Sequence, residues 1–266
     1  MAMTEERIAR AAALLARCRL GLEPLDALPA DLRPDSESDA YAIQRALHSL
    51  LSAAGLGPVV GHKIGCTTPV MQAFLKIPNP CGGGVFEKTV HRSPAVIAHA
   101  DFVRVGVECE IVAKLKSDLP ARRAPYGFDE VAAAIGSVMP GMEIVDARYV
   151  DYTRLDTPTL IADDFFDAGC VLGEERVYEA DMRLEAVLGV TRINGVEVGR
   201  GRGADVMGHP VNALVWLANQ RAALGQGIAA GEFVFLGSVV ETKWLARGDR
   251  VEMELAGLGR LDAQFN

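Results

Sequence analysis

The sequence predicts an α+β fold in which a rolled, largely antiparallel sheet follows an N-terminal helical cap. Three observations point to it. The first 58 residues hold two stretches with apolar residues at helical spacing. From Val59 onward, short β-branched runs alternate with Gly- and Pro-rich punctuation. The pair Asn194-Gly195 between two such runs marks a two-residue hairpin.

Residues 4–20 read as an amphipathic helix. Thr4 can cap it, Glu5 and Glu6 suit its positive N-terminal end, and Ile8, Ala11, Leu15 and Cys18 recur on one face. Gly21 is expected to stop it. A connector containing Pro and Asp leads to a second helix over 39–54, with Ile43, Leu47, Leu50 and Ala54 as its buried stripe and Gly55 at its end. Residues 1–58 are thus expected to cap a β-roll catalytic domain of residues 59–266. Within that domain helical patterns begin at Phe128 and at Pro210, where Pro suits the first helical position. His209 is either an anion contact or a structural residue at the helix start, and Trp216 reads as core.

Composition narrows the function. Half of the 266 residues are hydrophobic, enough for a substantial core. A net charge of −8 without any Lys/Arg block argues against nucleic acid as a partner. Five cysteines without C-x-x-C spacing read as reduced thiols. The N-terminus lacks the order of a signal peptide, and no apolar run is long enough to span a bilayer, so a cytoplasmic protein without a membrane partner is expected. No G-x-S-x-G elbow or paired histidine spacing suggests a serine hydrolase or a zinc site. The Gly199–Gly203 run reads as an Arg/Gly-rich turn before a helix; it lacks the βα unit of a dinucleotide site.

The segment Gly106–Leu115 carries the most chemistry. Strand alternation puts Val107, Cys109, Ile111, Ala113 and Leu115 on one face and Glu108 with Glu110 on the other. Such a pair is either a solvated strand face or part of a site for a hard cation, which prefers carboxylate oxygens. Glu143 offers a third acid, just after Pro140-Gly141, read here as a turn. Lys63, between Gly61 and Gly65, is either an exposed strand residue or a desolvated acid/base group. Asp163-Asp164 beside Phe165-Phe166 reads as a polar turn before a strand.

Taken together, several segments resemble the 2-keto-4-pentenoate hydratase group of the fumarylacetoacetate hydrolase superfamily, which includes 4-oxalocrotonate decarboxylases. They are AYAIQ from Ala40, GHKIGCTT from Gly61, the acid pair at Glu108 and Glu110, DLP at Asp118, VMPGMEIVDAR from Val138, IADD from Ile161, GRGRG from Gly199, GHPVNALVWLA from Gly208 and the final GLGRLDAQF. The resemblance implies a mixed β-roll, Mg²⁺ or Mn²⁺ held by Glu108, Glu110 and Glu143, Lys63 in the active site, and a homo-oligomer, with a decarboxylase or hydratase partner as a further option. It implies a small 2-oxo or 2-hydroxydienoic acid as substrate. Such an acid can chelate a metal through a carboxylate and a carbonyl oxygen, and polarising that carbonyl stabilises an enolate. Lys63 would shuttle a proton and Asp163 would orient or deprotonate water.

Three positions depart from the group's pattern. P-D-F-G appears as Pro80-Cys81-Gly82-Gly83, a small Ser as Phe166, and T-G as Leu236-Gly237. Each change removes a polar group from the expected substrate pocket, implying a more apolar one. The leading expectation is hydration of a 2-hydroxy-2,4-dienoate in aromatic-compound degradation. The alternatives are decarboxylation or C–C hydrolysis of a related 2-oxo acid, or a non-catalytic companion subunit. His48, expected on the surface of the second helix, disfavours hydrolysis.

Overall fold

The computed structural model describes residues 3–68, 71–73 and 77–266. Helix α1 (Glu5–Gly21) starts where the Thr4 hydroxyl accepts from the Arg7 amide, and buries Ala11, Ala12, Leu15, Ala16 and Cys18. It runs through Gly21 and ends on Leu22, which takes the left-handed conformation at φ 52°. Helix α2 (Glu37–Leu51) is capped by Ser36, whose side chain accepts from Asp39 N. Its stripe is Ala40, Ile43, Leu47 and Leu51, while the expected Leu50 is exposed. The stripe steps by four after Leu47, so the next inward position is 51. A π-helical turn, Ser52–Leu56, then closes the segment through Gly55 at φ 107°. Both helices pack with α4 (Thr157–Ala162) around a core that includes Leu28, Leu160 and Phe165.

Two mixed sheets form the remainder. In the larger, β2 (Cys81–Phe86), β1 (Val59–Gly65), β11 (Phe233–Trp244), β5 (Val105–Leu115), β6 (Ile135–Asp146), β7 (Asp167–Leu172) and β3 (Val90–Arg92) lie side by side, and β8 (Arg176–Val177) also pairs with β6. The β1–β11 and β3–β7 pairs are parallel and the others antiparallel. The smaller sheet orders β10 (Val196–Arg202), β9 (Leu188–Ile193), β12 (Arg250–Leu255), β13 (Gly259–Phe265) and β4 (Ala95–Ile97). Asn194 and Gly195, both at positive φ, make the β9–β10 hairpin turn. The Gly199–Gly203 run lies mostly in β10 rather than forming a turn. Extended residues there gain ladder hydrogen bonds to β9 that a turn would forgo. Helices α3 (Phe128–Ala134) and α5 (Pro210–Ala223) begin where the sequence places them.

Alternation along β5 sorts its side chains as expected. Val107, Cys109, Ile111, Ala113 and Leu115 enter the core between the sheets, together with Val251, Met253 and Leu261. The opposite face changes character along its length. At one end Val112, Met139, Phe233 and Phe235 make a small apolar core; at the other stand the acids.

Pro140 and Gly141 correct the sequence reading, because they lie inside β6 and pair with Ile111 and Glu110. In a strand, N and C=O of one residue point the same way. Pro140 O accepts from Gly173 N, just beyond the end of β7, so its ring nitrogen faces a place where no ladder donor is needed. At Gly141 an added Cβ would sit 2.3 Å from Val112 Cγ2 and 2.6 Å from Phe235 Cε1. Glycine there lets the apolar core close beneath the acids. Gly141→Ala is therefore expected to lower stability by about 1–3 kcal/mol through overpacking, read as a shifted urea midpoint at unchanged slope. An unshifted midpoint would mean that this layer is loosely packed.

Candidate functional site

The β5–β6 register places Glu108 directly opposite Glu143, and Glu110 opposite Gly141. One carboxylate oxygen from each acid lies within 4.8 Å of those of the other two. Glu110 and Glu143 are 0% and 1% exposed, so water does not screen them. Strand β11 shifts register repeatedly between Phe235 and Lys243, next to these acids. Within this irregular stretch Gly237, at φ 116°, donates its amide to Glu110 Oε2 at 2.7 Å. The Thr242 hydroxyl donates to Glu108 Oε1.

Lys63 comes from β1 and is itself 2% exposed. Its Nζ stands 3.0 Å from Glu143 Oε1 and donates to Phe165 O at 2.9 Å. Burial opposes its charge, but Glu143, Glu108 and Glu110 more than offset that and raise its pKa above the ordinary lysine value. Burial pushes Glu143 up to about 7, with Lys63 pulling it down and Glu108 pushing it up. Burial and the neighbouring acids Glu143 and Glu108 hold Glu110 well above the usual carboxylate range. One lysine thus faces three acids. Glu110 Oε1 and Glu143 Oε2 are buried with no hydrogen-bond donor among the described residues. Unpartnered, converging carboxylate oxygens suit a hard divalent cation, so the residues present fit a metal of that class.

Beside this cluster the chain makes an unusual turn. Asp164, Phe165 and Phe166 all take positive φ, at 56°, 50° and 71°. A non-glycine residue in such a conformation costs about 1–3 kcal/mol and persists only where its surroundings hold it. Here Asp164 accepts from Arg19 at 3.1 Å and from Gly84 N at 3.0 Å, and contacts His48 Nε2 at 2.6 Å. Burial would raise the Asp164 pKa, but His48 and Arg19 bring it below the usual range. Arg148 ties Asp163 at 2.9 Å and donates to Asp167 O at 2.9 Å. Next to the turn lies a cavity of about 580 Å³, lined among others by Lys63, Thr67, Glu108, Tyr152, Phe166 and Trp244.

The expected site residues fall in different places. Lys63, Glu108 and Phe166 line the cavity, and Glu110 and Glu143 cluster with Glu108 and Lys63. Gly237 touches the cluster through its amide. Asp163 is elsewhere: a buried guanidinium must be paired, and Arg148 takes this carboxylate, leaving it off the cavity wall. Leu236 is one strand position from Phe235, so it faces the core between the sheets instead of the site. Cys81 is fully buried and also off the wall; a hydrogen bond with Cys66 and burial raise its thiol pKa. His48 is half-buried rather than fully exposed, its Nε2 turned in to Asp164 Oδ1 at 2.6 Å. His209 caps α5, its Nδ1 accepting from Val211 N. Arg19, His48, Tyr152 and Trp244 carried no recognisable spacing in the sequence. Only the strand position of Trp244, with even spacing from Ser238 and Thr242, hints at a shared face.

Residues 82–266 match the fumarylacetoacetate (FAA) hydrolase C-terminal family. The chain is 32% identical to 2-hydroxyhexa-2,4-dienoate hydratase of Comamonas testosteroni over 229 residues, 85% of each chain. It is 31% identical to 2-keto-4-pentenoate hydratase of Burkholderia vietnamiensis, again over 85% of each. Among solved structures, 4-oxalocrotonate decarboxylase from Pseudomonas putida G7, complexed with magnesium and adipate, superposes with a TM-score of 0.93 at 26% identity, covering 99% of this chain and 98% of that one. Two-sheet architecture, a converging acid cluster and matched sequence agree, and the chain belongs to the fumarylacetoacetate hydrolase family.

Proposed function

We propose that the protein is a divalent-metal-dependent hydro-lyase that adds water to a 2-hydroxy-2,4-dienoate of the 2-keto-4-pentenoate kind, within the breakdown of aromatic compounds. The observation that carries this reading is the convergence of Glu108, Glu110 and Glu143 beside a buried Lys63 at a cavity. Relatives named as hydratases support it. Glu108, Glu110 and Glu143 would hold Mg²⁺ or Mn²⁺; when bound, such an ion supplies Lewis-acid polarisation of the 2-oxo group and charge to balance an enolate.

The chain's own groups do the remaining work. Lys63, on the cavity wall with its Nζ 3.0 Å from Glu143 Oε1, is placed to give a proton to the dienol and take one back. Protonating the far end of the dienol leaves a conjugated ketone, which takes up water at C4 to give a 4-hydroxy-2-oxo acid. The Thr67 and Thr68 hydroxyls, also on the wall, can donate to the substrate carboxylate. Helices α1 and α2 act in this reading as a cap, because Arg19 and His48 hold the turn that presents Phe165 O to Lys63. A cytoplasmic setting is supported by five free, buried cysteines. Self-association is supported by the edge strand β4, which leaves Val96 exposed.

A second reading, decarboxylation of a 2-oxo diacid, is supported by the close superposition on 4-oxalocrotonate decarboxylase. Both reactions need the same enolate. Incubation with Mg²⁺ and either 2-hydroxypenta-2,4-dienoate or an oxalocrotonate-type diacid separates them. Loss of diene absorbance with a 4-hydroxy-2-oxo product supports hydration; CO₂ release supports decarboxylation.

Two kinds of outcome are expected, one from substitution and one from pH. Glu108→Ala should abolish metal-dependent turnover while leaving the fold intact by circular dichroism. Lys63→Met should retain the metal but lower kcat by about 10²–10⁴-fold, the usual weight of a positioned proton donor. An unchanged rate in either variant would remove that residue from the mechanism. The second outcome concerns pH. Glu143 moves from an ordinary 4.5 to about 7 on folding, and Glu110 moves in the same direction. Across that window the folded, metal-free protein holds protons that the unfolded chain has released. These groups therefore make stability fall as pH rises from about 4.5 to about 7. A divalent ion must displace those protons, so calorimetry at pH ~6 in two buffers of different ionisation heat should detect proton release on Mg²⁺ binding. Binding without release would show the acids already ionised.

A further inference from the structure

We infer that the cavity selects a 2-oxo or 2-hydroxydienoic acid with an uncharged aryl or bulky alkyl group at the end far from its carboxylate, over both the unsubstituted five-carbon acid and a dicarboxylate. The inference rests on the function proposed above and names the substrate class of that site.

The cavity has an aromatic wall that starts beside Lys63, where the Phe165 ring centre lies 5.3 Å from Nζ. Tyr152 meets Phe166 edge-on at 5.2 Å between ring centres, Phe166 meets Phe165 at 5.5 Å, and Tyr152 lies 6.4 Å from Trp244. Met71 and Val240 extend the same lining. The spacing and edge-on geometry are those of rings that stack readily with a further aromatic group. Space is ample, since about 580 Å³ falls within the roughly 300–1,000 Å³ typical of pockets for ligands much larger than a five-carbon acid.

Charge disfavours a second carboxylate. Among the described residues on the wall Lys63 is the one cation, and it is already engaged by Glu143 and Phe165 O. The other charged residues on the wall are Glu108, Asp205 and Glu241, all acids. A distal carboxylate would lose water and meet no unengaged cation on this wall, only neutral hydroxyl donors, whereas an aryl group would lose water favourably.

The wall is also held in place before a ligand arrives. Phe166 sits in the left-handed turn anchored through Asp164 by Arg19, His48 and Gly84. The Arg104 guanidinium lies 4.4 Å from the centre of the Trp244 ring. Little ordering is then needed on binding, and more of the contact energy appears as affinity. Phe166 is the lever, standing at the centre of the ring contacts.

Titration calorimetry of the Mg²⁺-loaded protein with three saturated 2-oxo acids tests this. 2-Oxo-4-phenylbutanoate should bind about tenfold or more tightly than 2-oxobutanoate, the size expected when a phenyl group leaves water. 2-Oxohexanedioate should gain nothing over 2-oxobutanoate. Phe166→Ser, checked for folding by circular dichroism, should shrink the phenyl advantage to about threefold or less. The wild-type ranking tests the inference by itself should that variant not fold. Preference for the diacid, or equal binding of phenyl and methyl acids, overturns the inference and leaves the metal-chelate reading standing. Metal-dependent binding of none of the three overturns both.

Discussion

Everything in this protein's site follows from pairing Glu108 with Glu143 across two neighbouring strands. Like charges directly opposite one another destabilise a sheet, and here one, Glu143, is buried and the other, Glu108, half-buried, with a third, buried acid two residues along. A fold could tolerate such a cluster by exposing it or replacing it. This one instead surrounds it with partial remedies: the Lys63 ammonium, the Gly237 amide and the Thr242 hydroxyl. None satisfies Glu110 Oε1 or Glu143 Oε2. A buried charge cluster left short of donors is poor structure and good binding chemistry, because the uncompensated field is then available to a cation.

The neighbouring turn obeys a related logic. Three successive residues in the left-handed region are expensive, and the chain holds them with two buried arginines and a histidine from three separate segments. Two of those holders, Arg19 and His48, belong to the N-terminal helices. These helices therefore do more than cover apolar surface; through Asp164 they set where Phe165 O meets Lys63 and where Phe166 meets the cavity. Asp167, buried nearby, is held well above the usual carboxylate range by burial, with Arg19 pulling the other way. Acid balance on this side is thus coupled to the same arginine that anchors the turn.

Legibility in the sequence tracked the range of the interaction. The two-residue alternation of β5 is local, so the apolar face and the Glu108–Glu110 face could be read directly. The Asn194-Gly195 hairpin and the Thr4 cap are local as well. Pro140-Gly141 misled because a proline's tolerance in a strand depends on where the adjacent strand ends, and that is a tertiary fact. Asp163 misled for a similar reason: adjacent aspartates look alike until Arg148 claims one and Arg19 with His48 the other. Apolar periodicity located α2 but could not reveal His48, whose partner lies 116 residues away. Nor does any composition signal announce three non-glycine residues at positive φ. The left-handed turn is visible only through the contacts that stabilise it.

Such a division of labour bears on how specificity can change without loss of chemistry. The acids and Lys63 stand on strands in the middle of the larger sheet, fixed by ladder hydrogen bonds on both sides. The aromatic wall comes mainly from the 152–166 segment, which packs through α4 against the N-terminal helices and is anchored at its turn by ion pairs. Substitution at Phe166 or Tyr152 alters what the cavity touches while leaving the register of β5 against β6 unaltered. Substitution at Gly237 or Gly141 disturbs the cluster itself, since one supplies a donor to Glu110 and the other lets the layer beneath it close. A scaffold that keeps its charge cluster on paired strands and its selectivity on an anchored turn can diversify substrates by changing the turn alone.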